Sequence, residues 1–271
     1  MKKNIFLLIV VIVLSSCTGY NKVLNKGDVK TQYKLAQELF EQEKYSKAIT
    51  LFEKVAPSFI NKPQLQRLRY MNAIANYKMK DYEVASYHFN RFITNYPQST
   101  KIEEVYYLNA QSLFKQSPRS SLDQEQYTMK ALDALQTFLD RYPDSKYTKS
   151  VNNQYKELVS KLNKKAYDIA YLYYKTGRYK AAIVAFDNYI SDYLGSKYKE
   201  DALFHKFKSA YFLGMKSIEY KKLKRLQDAK KAQKRYLKYY PDSKYTKESN
   251  DLLENINKEI EIINAQTTTE K

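Results

Sequence analysis

No tryptophan, one cysteine, two histidines, five glycines and six prolines occur in these 271 residues. With a single thiol, Cys17, no disulfide can staple the fold, even in a compartment that would permit one. Stability must therefore come from a packed core, for which a chain of this length suffices. His88 and His205 stand in helical stretches without a cysteine or second histidine nearby, so a metal centre would lack ligands and a Ser-His-Asp triad could not be assigned. No glycine-rich loop is present to cradle a phosphate. Acidic pairs such as Glu103-Glu104 lie in lysine-rich helical surroundings and read as solvated faces. The chain is expected to be non-catalytic, with no cofactor and no metal. So few glycines and prolines favour long helices.

Acidic residues are scarce beside basic ones: the net charge is +18. A field of that sign favours encounters with nucleic acid, anionic membranes or acidic proteins. No basic cluster coincides with a nucleic-acid-binding module, and no nucleic-acid partner is expected. Most lysines are spread along the chain as a solvated surface. The densest run, Lys221 to Lys234, suits acidic headgroups or an acidic partner.

The N-terminus combines Lys2-Lys3, the ten-residue apolar run Ile5 to Leu14, and Leu14-Ser15-Ser16-Cys17. A basic start, a short apolar stretch and small residues before a cleavage point make a secretory signal, and ten residues are too few to cross a bilayer. Leu-Ser-Ser-Cys resembles the lipobox of bacterial lipoproteins, which implies acylation of Cys17 and loss of residues 1–16. The mature chain would then carry a charge of +16, since Lys2 and Lys3 leave with the signal. Several acyl chains anchor a protein stably on a membrane that it does not enter.

Internal repetition organises the rest. Glu43-Lys44-Tyr45-Ser46-Lys47-Ala48, Lys80-Asp81-Tyr82-Glu83-Val84-Ala85 and Gly177-Arg178-Tyr179-Lys180-Ala181-Ala182 share a turn, a tyrosine and an alanine three residues later, and Ala36, Ala73 and Ala170 stand twelve residues before those alanines. Tyr96-Pro97, Tyr142-Pro143 and Tyr240-Pro241 punctuate the other end of the unit, because proline stops a helix and the following Asp and Ser suit a cap. The pattern resembles the tetratricopeptide repeat, a helix–turn–helix unit, and implies an all-α solenoid of about five units. First-helix alanines fall at Ala36, Ala73, Ala110, Ala170 and Ala210, and second-helix alanines at Ala48, Ala85, Ala131, Ala182 and Ala229. Units three and five carry insertions around Ser117 to Gln126 and Lys216 to Arg225, where family-specific contacts are expected. Between Ser145 and Lys175 neither proline nor glycine occurs, which predicts one extended helix that splits the array. The expected organisation is a signal over 1–16, a lipidated tether over 17–28 and repeats one to three over 29–145. A connecting helix, repeats four and five and a capping helix follow over 146–263, then a disordered tail over 264–271.

On each first helix, the position three before the alanine holds Tyr33, Tyr70, Tyr107, Tyr167 and Phe207. The position four after it holds Phe40, Tyr77, Phe114, Tyr174 and Gly214. In tetratricopeptide proteins the first helices line the concave groove, so Tyr33, Phe40, Tyr70, Tyr77, Tyr107, Phe114, Tyr167 and Tyr174 are candidate peptide contacts. Tyrosine offers large contact area, few rotamers to lose and a hydroxyl. Packing within the repeat would use the same rings, and the sequence leaves both roles open.

A lipobox, about five such repeats and the recurrent Tyr-Pro-Asp-Ser-Lys-Tyr-Thr-Lys at 142–149 and 240–247 resemble the BamD-like family of outer-membrane assembly lipoproteins. The resemblance implies a lipid-anchored, periplasm-facing subunit of the β-barrel assembly machinery at the outer membrane. Its implied partners are a BamA-like barrel subunit, which meets the C-terminal repeats, and unfolded outer-membrane proteins, whose aromatic C-terminal segments meet the N-terminal repeats. Two other readings stay open: a scaffold lipoprotein linked to Tol–Pal or peptidoglycan, and a glycan-binding surface lipoprotein. The second usually relies on tryptophan platforms, which this chain lacks.

Overall fold

A computed structural model describes residues 19–118 and 125–269. Cys17, the signal and part of the third unit's insertion lie outside them. Among the described residues every regular element is a helix. In the first compact unit, which ends at Lys156, α1 (Val29–Glu41) pairs with α2 (Tyr45–Val55), α3 (Pro63–Lys78) with α4 (Tyr82–Asn95), and α5 (Ile102–Gln116) with α6 (Glu125–Arg141). A 3-10 turn, Ala56–Phe59, joins the first two pairs. The second unit, from Glu157, holds most of α7 (Thr148–Lys175) together with α8 (Tyr179–Asp192), α9 (Lys199–Met215), α10 (Glu219–Tyr239) and α11 (Thr246–Thr269). The fold is a tetratricopeptide-like α-solenoid.

Alanine spacing produces the pairing. Ala36, Ala48, Ala73, Ala85, Ala110, Ala131, Ala170, Ala182 and Ala229 are fully buried, because a methyl group at the crossing lets two backbones approach. Around them Leu51, Phe52, Phe89, Phe138 and Phe186 are also fully buried, each stabilising the fold by about 1.5–3 kcal/mol relative to exposure. The turns within the first, second and fourth pairs share one geometry. Lys44 N–H donates to Leu39 O at 2.8 Å, Asp81 N–H to Asn76 O at 3.0 Å and Arg178 N–H to Tyr173 O at 2.9 Å. These are Schellman closures, each with a left-handed residue just before the donor. Glu43 (φ 59°), Lys80 (φ 65°) and Gly177 (φ 74°) occupy that position, and only Gly177 does so without crowding its own Cβ.

The corners between pairs share a second device. Ser99, Ser145, Ser196 and Ser243 each accept the N–H two residues on through Oγ, at 3.2, 3.1, 3.0 and 3.1 Å. Each is also tied to the preceding first helix. Ser99 accepts from Gln66 at 2.6 Å, Ser145 donates to Glu103 at 2.7 Å and Ser196 to Asn163 at 2.9 Å, and Ser243 donates to Glu200. Tyr147 then stacks on Tyr107 at 3.9 Å, Tyr198 on Tyr167 at 5.1 Å and Tyr245 on Phe204 at 4.1 Å.

These corners correct the sequence register of the fifth unit. Glu200 answers to Glu103 and Phe204 to Tyr107, so the alanine's place is taken by Phe207, which is fully buried, and Ala210 is displaced by one turn. The aromatic positions of that unit are thus Phe204 and Tyr211, not Phe207 and Gly214. The unit's insertion forms the first turns of α10, where Gly214 lets α9 approach Leu226: a Cβ on Gly214 would lie 2.7 Å from Leu226 Cδ2.

Three expected boundaries also shift. Residues 19–26, expected as tether, are helical. Tyr20 and Leu24 pack on the first repeat's core, and buried Gln32 donates to Val23 O at 3.1 Å and Leu24 O at 3.0 Å. Helix α11 continues past Ile263 to Thr269, since no proline or glycine stops it and Ile260 and Ile263 pack on the second unit's core. The units divide inside α7 rather than at 145, because the helix's first turns belong to the first unit. Val151 is fully buried, and the side-chain amides of Gln111 and Gln154 exchange hydrogen bonds of 2.6 and 2.8 Å.

Candidate functional site

All eight aromatic candidates are half-buried, and the structure shows what most of them touch. Tyr33 lies 5.0 Å from Phe59, and Tyr70 lies 6.0 Å from Phe92. Tyr107 and Tyr167 stack on the corner tyrosines already described. Phe40, Tyr77 and Tyr174 meet the tyrosine that opens the second helix of their own repeat: Tyr45 at 5.6 Å, Tyr82 at 5.6 Å and Tyr179 at 6.3 Å. Lys115 sits 5.8 Å over Phe114. For the seven rings other than Phe114, much of the surface is therefore spent on packing against a neighbouring element, and only the remaining edge is available to a ligand. Burial pushes the hydroxyl pKa values of Tyr70 and Tyr167 well up, and Glu104 and Asp201 respectively add to the effect, so both stay protonated donors at neutral pH.

Phe40 and Tyr70 line a common cavity, a groove of about 530 Å³ in the first unit. Met71 and Phe92 complete its apolar floor, while Arg67, Lys101 and Glu41 stand at its rim. Lys101 Nζ lies 5.4 Å over the Tyr70 ring and 3.1 Å from Glu104. The arrangement offers apolar and aromatic contact beside charges of both signs, Arg67 and Lys101 against Glu41 and Glu104, which suits an extended peptide with aromatic side chains and a carboxylate for Arg67. Arg67, Met71, Phe92 and Lys101 were missed from sequence. Lys101 carried a readable signal, since it stands where the other corners hold Tyr147, Tyr198 and Tyr245.

Neither histidine lines this groove. Tyr171, Tyr174, Phe186, Phe204 and Tyr245 surround His205 at 4.8 to 6.2 Å, and burial holds its pKa below the usual range. Burial, with Arg69 and Arg91, does the same for His88. Among the described residues no cluster of three His, Cys, Asp or Glu side chains could hold a metal ion, and no helix is long and apolar enough to cross a membrane.

The profile of the YfiO outer membrane lipoprotein family matches residues 25–226. The chain belongs to this family. Association with the outer membrane comes with that membership. Among its relatives, the outer membrane protein assembly factor BamD of Neisseria meningitidis serogroup B is 25% identical over 218 residues, covering 75% of this chain and 82% of that one. The BamD of Caulobacter vibrioides is 25% identical over 206 residues, covering 74% and 67%. A BamD assembly factor of Aquifex aeolicus is 27% identical over 195 residues, covering 69% of this chain and 63%, under two thirds, of its own length. A tetratricopeptide protein of Bacteroides fragilis overlays with a TM-score of 0.40 at 13% identity, covering 86% of this chain and 99% of that one. Such a loose overlay adds nothing to the assignment, which rests on the repeat geometry and the family match.

Proposed function

We propose that this family member is a non-catalytic subunit of the β-barrel assembly machinery, anchored by lipid at Cys17 on the periplasmic face of the outer membrane. It holds segments of unfolded outer-membrane proteins and docks on a BamA-like barrel subunit. The observation that carries this reading is the groove around Phe40 and Tyr70, with its apolar floor and its cationic rim of Arg67 and Lys101. The BamD names of its relatives support the assembly role. Its work is done by binding and placement. A preformed groove loses little entropy on capturing an extended segment, and tethering raises the local concentration of captured chain beside the insertion site.

The test is titration of a labelled, aromatic-rich C-terminal peptide of a barrel protein against wild type, Tyr70→Ala and Arg67→Ala/Lys101→Ala. Affinity should fall about tenfold or more in each variant, as for loss of a central aromatic or charged anchor. The paired cation variant leaves the rings in place, so unchanged peptide affinity there would rule out the rim, and unchanged affinity in both would remove the groove from the account.

A further inference from the structure

We propose that the solvent face of α10 is a second membrane contact, one that binds anionic lipid headgroups. Helix α10 carries nine lysines and arginines against Glu219 and Asp228. Its inner face, Leu226, Ala229, Gln233 and Tyr236, is buried in the second unit. Lys224, Lys231, Lys234, Arg235 and Lys238 form an exposed stripe on the opposite side. Lys222 is taken by Glu259 of α11 and Arg225 donates to Ser217 at 2.7 Å, while Lys231 has a solvent-exposed partner in Asp228 at 3.6 Å. Most of the stripe lies beyond residue 226, where the family match ends.

Residue choice separates a lipid layer from a protein partner. Seven of the nine cations are lysine. Protein interfaces enrich arginine and deplete lysine, because the guanidinium fork fixes one carboxylate in one geometry. Flexible, hydrated lysine heads suit a fluid layer of many anions, where each cation raises partitioning roughly fivefold. Tyr220 and Tyr239, 77% and 52% exposed, stand at the two ends of the helix, and tyrosine is at home at the membrane–water boundary. Beside the stripe is a cleft of about 360 Å³ with Lys206, Arg225, Lys231 and Arg235 at its rim over Ile183 and Leu213. Its two carboxylates, Asp187 and Asp228, are each already matched to a lysine, which leaves Arg235 for a phosphate. A polybasic patch is the complement that an acyl anchor uses for stable attachment, and the inference stands whether or not the groove binds peptide.

Vesicle co-sedimentation tests it, using the chain from Thr18 onward, which keeps every described residue and has no cysteine to acylate. Phosphatidylcholine vesicles are compared with and without phosphatidylglycerol. Wild type should bind only the anionic vesicles, and salt should weaken the binding. Lys224→Gln/Lys231→Gln/Lys234→Gln/Lys238→Gln should lower it at least tenfold, with an unchanged melting curve. Lys22→Gln/Lys26→Gln/Lys30→Gln/Lys78→Gln removes equal charge elsewhere and should lower it far less. Equal losses in the two variants, or no preference for phosphatidylglycerol, would overturn the proposal. So would loss of an acidic protein from envelope co-purification by the α10 variant with vesicle binding intact, which would make the stripe a protein interface.

Discussion

Replacing Tyr245 by Phe isolates one bond of the corner that fixes the fifth unit's register. The Tyr245 ring stacks on Phe204 at 4.1 Å with 3° between planes, and phenylalanine keeps that contact. What disappears is the hydroxyl's hydrogen bond to Asp201 Oδ1 at 2.6 Å. A hydrogen bond to a charged group is worth about 1.5–3 kcal/mol. Lys244, 3.0 Å from the same oxygen and 62% exposed, still partners the carboxylate, so the expected loss is about 1–2 kcal/mol. For a chain of this size that lowers the melting temperature by about 3–6 °C. The pH dependence has a definite sign. Burial favours the neutral acid, yet the bonds from Tyr245 and Lys244 hold the Asp201 pKa below its ordinary value. A depressed carboxylate contributes stability that is complete above the unfolded pKa of about 3.9 and is lost as pH falls through the folded value. The gap between wild type and Tyr245→Phe should therefore be full at pH 7 and close below about pH 4. Thermal melts followed by circular dichroism across that range read both effects. Equal stability at pH 7, or a gap indifferent to acid, would refute the corner as drawn.

Three further outcomes follow from the packing. Gly214→Val drives a side chain into fully buried Leu226 and should destabilise by about 2 kcal/mol in urea unfolding, with Leu226→Ala in the same chain restoring part of the loss. Lys80→Gly relieves a left-handed residue at φ 65° and should raise stability by about 0.5–1 kcal/mol, read as a small gain in melting temperature. Gln111→Leu strands the Gln154 amide and should cost about 1–3 kcal/mol, whereas Gln111→Leu/Gln154→Leu recovers most of it, which a double-mutant cycle measures.

The helical pairs were legible because alanine at the crossings and tyrosine three residues earlier recur at fixed spacing, and that spacing survives in four of the five first helices. The fifth failed because Phe207 replaces the alanine and Ala210, one turn on, imitates it. Only the corner, where Ser243 meets Glu200 and Tyr245 meets Phe204, restores the alignment, and that corner joins residues more than forty positions apart. The fourth corner, Tyr193-Leu194-Gly195-Ser196, carries no proline and gave no punctuation, although Ser196 bonds as its counterparts do. For the groove, the first-helix rings were readable but their division between packing and exposure was not. That division depends on Tyr45, Tyr82 and Tyr179, which reach back across the turn. Lys101 reaches Tyr70 and shares a groove with Arg67 only when α3 and the start of the next repeat are brought side by side.

Co-purification separates a barrel-assembly subunit from other envelope lipoproteins. The tagged, full-length chain would be extracted from its own envelope in mild detergent and its partners identified by mass spectrometry. A BamA-like barrel subunit should be recovered together with unfolded barrel substrates, the substrates falling away selectively in Arg67→Ala/Lys101→Ala while the barrel subunit remains. Recovery of Tol–Pal, peptidoglycan-linked or glycan-uptake proteins with no barrel subunit would contradict the assembly role.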